Sequence, residues 1–217
     1  MLSNFQRLLL RGLASTEVIR DPARADLVSI LSEMTSNRAV DRVYQRMLGS
    51  ASGRVLLAEQ RRVSHVTLEI AQHCQDGTFG KAYADFMDKR HFKPDDRSKL
   101  GTSLKGPHDY VLIRLREIHD FLHVVLNCPT TIEGEVALKA VEFANCQLPV
   151  SGLATLAGRI QVSEPSRRRL QEYLLPWALR AGGVCSSIES IDFESKFELP
   201  LDEVRNLYNF NSLEHTL

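Results

Sequence analysis

The sequence predicts an all-α fold, a single-domain helical bundle over residues 1–217 with a central antiparallel helical hairpin. Three observations predict it. Apolar residues recur at helical spacing along most of the 217 residues. Period-two alternation is scarce, and 188–197 is the one doubtful stretch. A hydrophobic content of 43% beside 25% charged residues is ordinary for a globular chain of this length, which can bury a substantial core.

The elements follow in order. Residues 1–16 lack acids and carry Arg7 and Arg11 among Leu2, Phe5, Leu8, Leu9, Leu10 and Leu13. They read as a terminal helix packed on the domain, an amphipathic anchor being the alternative. Helical spacing continues through 25–34, 39–48 and 79–90. Residues 92–107, with Lys, Asp, Ser, Gly and two prolines, read as a surface loop. From Tyr110 to Leu126 no Pro or Gly intervenes, and apolar residues lie on nearly every side, so a buried helix is expected. Cys128-Pro129 closes it. Thr130-Thr131-Ile132-Glu133 then matches a capping box, with Thr130 as N-cap, and opens a second helix to about Asn145. Helices over 153–160 and 165–180 complete the bundle. Ser163 or Glu164 caps the last, Pro165 takes its first position, and Gly182-Gly183 is its natural stop.

The hairpin carries the chemistry. Arg116, His119, Asp120, His123 and Asn127 share one polar stripe on the first helix; Glu135, Lys139 and Glu142 share one on the second. Helices joined by so short a turn fold back on each other, and residues equidistant from it face one another. With Pro129 at the centre, His123 meets Glu135, His119 meets Lys139, and Arg116 meets Glu142. Buried imidazoles and carboxylates are costly unless paired or bound to a metal. A divalent-metal site is therefore expected, completed by Glu135, with Glu133 serving only as a cap. Zinc is the first expectation; magnesium, manganese and iron also suit the donor set. Arg116, Lys139 and Glu142 are expected around the ligands as orienting charges, or as a plain interhelical charge cluster.

The stretch Tyr110 to Pro149, with His119-Asp120-x-x-His123, eleven residues and Glu135, resembles the signature region of the coenzyme Q biosynthesis protein four family. Gly77-Thr78-Phe79-Gly80-Lys81-Ala82-Tyr83 with Phe86, and Leu174-Leu175-Pro176-Trp177-Ala178, extend the likeness from about Asp21 to the 190s. The resemblance implies His119, Asp120, His123 and Glu135 as metal ligands. It implies a polyprenylated hydroxybenzoate or related quinone precursor as ligand, and decarboxylation of the ring's first carbon coupled to hydroxylation. Asp120 is then a candidate for moving protons. A non-catalytic organiser, binding the prenylated lipid and docking other quinone-biosynthesis enzymes, is the alternative that the resemblance also carries. A homodimer is a further expectation.

Composition narrows the classes. Net charge is zero, with 27 basic and 27 acidic residues and no basic block, which argues against nucleic acid. The four cysteines form no Cys-x-x-Cys pair and read as reduced thiols. No stretch reaches the ~18 consecutive apolar residues of a membrane span. The expectation is a cytoplasmic protein, peripheral to the inner membrane, or on the matrix side of the mitochondrial inner membrane if the source is eukaryotic. A metalloprotease would need glutamate after the first histidine of His-x-x-x-His, where this chain has Asp120. A His-Asp phosphohydrolase would need a further histidine and aspartate at spacings that the chain lacks. The remaining histidines, His65, His73, His91, His108 and His215, sit at no ligand spacing.

Overall fold

The structure, a computed structural model, describes residues 37–94 and 106–213. The helices expected at 1–16 and 25–34, most of the 92–107 loop and His215 lie outside the described residues. Within them the fold is all-α, with no strand. No described helix is long and apolar enough to cross a membrane.

α1 (Asn37–Gly49) buries Ala39, Val40, Val43 and Met47, one apolar stripe at spacings of one, three and four. Two short helices follow that periodicity does not announce, α2 (Ala51–Glu59) and α3 (His65–Gln72). Their caps do: Ser50 Oγ accepts from Gly53 N at 2.9 Å, and Ser64 with Thr67 forms a capping box. α4 (Phe79–Arg90) has the expected bounds and is capped by Thr78.

The expected helix over 110–126 is divided into α5 (Pro107–Glu117) and α6 (His119–Val125), with Ile118 at φ −79, ψ −5 between them. Neither Pro nor Gly marks the break. Tertiary ties accompany it: buried Arg114 forks onto Glu194 and the Ile191 carbonyl, while Glu117 accepts from Arg62 and Val63 N. α7 (Ile132–Cys146) starts one residue later than expected, because Thr131 rather than Thr130 accepts from Gly134 N, at 3.2 Å. Glu133 makes no capping box and accepts instead from Ser166.

α8 (Pro149–Gln161) is longer than expected, since Pro149 at its start supplies the φ a helix needs and lacks only an amide that would go unpaired. The helix expected at 165–180 is one uninterrupted helical run, α9 (Glu164–Arg169) passing through a π turn (Leu170–Leu174) into α10 (Leu175–Val184). Pro176 lacks an amide and crowds the turn before it. The chain widens there, Leu175 N reaching Leu170 O. Gly182 and Gly183 do not stop α10. A Cβ on Gly182 would lie 2.4 Å from Val141 O, so this glycine lets α10 press against α7. The doubtful 188–197 stretch is two 3-10 turns, Ile188–Ser190 and Glu194–Lys196, followed by α11 (Leu201–Leu207).

α7 lies at the centre, with α8 and α10 packed along it. An aromatic cluster of Phe79, Tyr83, Phe121, Phe193 and Phe197 fills the space between α4, α6 and the 3-10 turns. Asn145 ties α7 to the end of α10: its Nδ2 donates to the Gly182 and Cys185 carbonyls, and its Oδ1 accepts from Ile188 N.

Candidate metal centre

The site forms where α6 faces α7. Glu135 presents one carboxylate oxygen to each histidine: Oε2 lies 3.2 Å from His119 Nε2 and Oε1 lies 3.1 Å from His123 Nε2. One ligand atom from each of His119, His123 and Glu135 lies within 4.8 Å of the others. His123 is buried and His119 nearly so, whereas the Glu135 side chain is 42% exposed, leaving the group reachable from solvent.

The opposite edges of the two rings are held by the protein. His123 Nδ1 donates to the Cys128 carbonyl at 2.9 Å, and His119 Nδ1 to Glu142 Oε1 at 2.6 Å. With Nδ1 so engaged, each ring turns its Nε2 toward Glu135. Two imidazole nitrogens and a carboxylate converging this way, each ring oriented by a carbonyl or carboxylate behind it, fit a divalent cation of the zinc type. Phe86 stacks on His123 with centroids 5.4 Å apart, and Arg90 lies over Phe86 at 4.0 Å.

Glu142 is buried and well supplied with donors. Lys139 Nζ reaches its two oxygens at 2.8 and 3.0 Å, and Ser151 Oγ from α8 donates at 3.1 Å. Burial raises its pKa, but the Lys139 ammonium and then His119 outweigh this and hold it at about 2. Glu135 is likewise pushed up by burial and drawn well below the usual carboxylate range by the two imidazoles. Burial and Lys139 push the His119 pKa down, and its bonds to Glu135 and Glu142 carry it above the ordinary value. Lys139 Nζ lies 3.4 Å from His119 Nδ1. The Cys128 thiol, pushed by burial to about 12, stays protonated and donates to the Gly134 carbonyl.

Of the residues singled out by spacing, the structure brings together His119, His123, Glu135, Lys139 and Glu142. Asp120 is half-buried on α6 and is not one of the three clustered ligands. Arg116 belongs to α5, beyond the Ile118 break, and the Glu142 expected opposite it reaches His119 instead. Three contributors escaped the sequence: the Cys128 carbonyl, Ser151 and Phe86. A main-chain acceptor leaves no mark in residue type, and the two side chains come from helices whose approach no local spacing encodes. The cap Thr78 and the α4 periodicity placed Phe86 on a helix but not against His123.

Beside His123 opens a cleft of about 500 Å³. Val124, Cys128, Pro129, Leu201 and Leu213 give it apolar walls, and Lys89, Arg90, Arg169 and Arg205 outnumber Asp85 as its charges.

The family model described as coenzyme Q (ubiquinone) biosynthesis protein Coq4 matches residues 1–214. The chain is similar to the mitochondrial ubiquinone biosynthesis protein COQ4 of Coprinopsis cinerea, 34% identical over 206 residues that make up 94% of this chain and 71% of that one. It is similar to the mitochondrial COQ4 homolog of Bos taurus, 33% identical over 205 residues, 94% of this chain and 77% of that one. A crystal structure of a protein from Nostoc punctiforme matches with a TM-score of 0.74 at 20% identity, over 93% of this chain and 97% of that one, a likeness of fold.

Proposed function

The chain belongs to the coenzyme Q (ubiquinone) biosynthesis protein Coq4 family, and from that premise we propose that it is a metal-dependent protein acting on a polyprenylated hydroxybenzoate-type precursor of ubiquinone. The observation that carries the metal part is the convergence of His119 Nε2, His123 Nε2 and Glu135 while both Nδ1 atoms are bonded behind. His119, His123 and Glu135 would hold the ion, zinc by the donor set. When bound, a divalent ion supplies a Lewis acid for a ring carboxylate or phenol oxygen and stabilises charge that develops as carbon dioxide leaves.

The chain's own side chains do the rest. Lys89, Arg90, Arg169 and Arg205 give the cleft the charge to hold a carboxylate-bearing ring, and its apolar wall suits the start of a prenyl tail. Asp120, beside the ligand set on α6, is assigned proton movement rather than ligation. Replacing the carboxylate by hydroxyl is an oxidation, so the reaction draws on an external oxidant.

A second reading, an organiser that binds the lipid and docks other quinone-biosynthesis enzymes, is favoured by Val66 and Ile70. They stand exposed one turn apart on α3. Metal content of the purified chain by mass spectrometry, beside His123→Ala and Glu135→Ala, tests the site. Near-stoichiometric metal in the parent and its loss in both variants is expected; a parent still metal-free after reconstitution sinks the proposal. With metal present, Asp120→Asn is expected to keep the metal and lose product formation. A loaded chain that never turns over the precursor would leave the organiser.

A further inference from the structure

α6 carries both histidines of the candidate centre in seven residues, and Ile118 separates it from α5. A helix of two turns does not hold its own end, because the carbonyls there lack amides within the helix. The end of α6 is closed from two directions. Asn127, at φ 51, forms a Schellman motif in which Cys128 N donates to His123 O at 2.9 Å and Asn127 N to Val124 O at 3.2 Å. That motif leaves Val125 O and Leu126 O over. Both are met from far along the chain: Arg205 Nε of α11 donates to Val125 O at 2.8 Å, and Leu213 N to Leu126 O at 2.7 Å. Arg205 Nη2 adds a bond to Val124 O at 3.4 Å.

This clamp is itself anchored. Leu213 O accepts from Asn127 Nδ2 at 3.1 Å, so both main-chain groups of Leu213 are bonded to the end of α6. Trp177 Nε1 of α10 donates to Asn211 O at 3.1 Å. Phe210 is buried and stacks on Phe193, which in turn meets Phe121 of α6. The Arg205 guanidinium lies on the last carbonyls of the helix, where it also meets the negative end of the helix dipole. Arg205 and Leu213 line the same cleft as His123.

We propose that Arg205 and Leu213 are positioning residues of the metal centre, setting the last turn of α6 so that His123 Nε2 stays over Glu135; this rests on the reading of His119, His123 and Glu135 as a metal site. The two histidines are held differently. His119 stands at the start of α6 and is bonded to Glu142, whereas His123 lies in the last turn, one residue before the first carbonyl that Arg205 takes. Loosening the clamp therefore shifts His123 and leaves His119 in place, and a site with three protein ligands loses one. The sign of the effect separates positioning from charge. Arg205 is a cation in the cleft that His123 lines, so on charge alone its removal favours a divalent ion. The clamp requires the opposite.

Zinc competition with a chromophoric chelator, beside hydrogen exchange read by mass spectrometry, tests this on the full chain. Arg205→Ala is expected to weaken zinc binding roughly tenfold, with Arg205→Lys between it and the parent. Asn127→Gly keeps the positive φ, removes the tie to Leu213 O, and should weaken zinc about threefold. Asp202→Ala, which removes only the exposed partner of Arg205, should stay within about twofold of the parent. In the parent, zinc should slow amide exchange across residues 205–213, which supply no ligand, because coupling between two sites is reciprocal. Unchanged or tighter zinc binding by Arg205→Ala and Asn127→Gly overturns the proposal, as does exchange in 205–213 that ignores zinc. If Arg205→Ala does not fold, Asn127→Gly and the parent's exchange decide. The two readings fail separately. A parent that takes up no zinc, while Arg205→Ala still speeds exchange in metal-free α6, removes the metal site and leaves the clamp on the helix; parent-like zinc binding by both variants removes the positioning role and leaves the metal site.

Discussion

Glu142 is the residue on which the orientation of His119 turns. Its two oxygens serve His119, Lys139 and Ser151 at once. If His119 ligates a metal, Glu142→Ala should weaken zinc binding by roughly ten- to a hundredfold, with Glu142→Gln closer to the parent because it keeps an acceptor. Competition with a chromophoric chelator reads this directly. The carboxyl, held at about 2 against an ordinary 4.5, also gives a pH dependence. A lowered folded pKa means stability fully present above pH 4.5 and lost as the pH falls through about 2. Urea unfolding of metal-free protein over that window should show a fall that Glu142→Gln flattens. At this scale the sequence was most informative where partners are local. His123 with Glu135 and His119 with Lys139 follow from counting outward from Pro129, because a short turn leaves little freedom of register. Ser151 could not be reached by counting, since it depends on where α8 crosses α7.

Between elements, glycine separates two roles that look alike in sequence. Gly182 and Gly183 read together as a helix stop, yet α10 runs through both. At Gly182 an added methyl would strike the main chain of α7, while at Gly183 nothing lies within 4 Å. Gly182→Ala is therefore expected to cost about 1–3 kcal/mol. Gly183→Ala should stabilise by about 0.5–1 kcal/mol through helix propensity. Paired urea titrations decide the matter, and equal effects would contradict the packing described. The break at Ile118 and the π turn before Pro176 have the same lesson. Helix identity was legible from periodicity, but helix continuity depends on tertiary ties such as Arg114 with Glu194 and on how the chain accommodates a proline. Short helices such as α2 and α3 present too few turns for periodicity to speak.

Across the whole molecule the all-α architecture was legible, because buried stripes at helical spacing dominate the sequence. The way the parts close on α7 was not. That closure buries all four cysteines at 8% exposure or less. Burial lifts the Cys128 thiol to about 12 and the Cys185 thiol to about 11, so neither forms the reactive thiolate at neutral pH. Iodoacetamide should leave the folded protein unmodified, and all four thiols should label together across the urea transition; mass spectrometry of the time course would expose any thiol that reacts early. One feature of the candidate site reaches beyond the finished fold. His119, His123 and Glu135 lie close together in the chain as well as in space, so bringing them together closes only a short loop at small entropic cost. On a ribosome these residues emerge before α8 and α10 exist. If these residues hold an ion, a nascent chain has the three donors for it early, with His123 already set by Cys128 and Glu142 still waiting for Ser151.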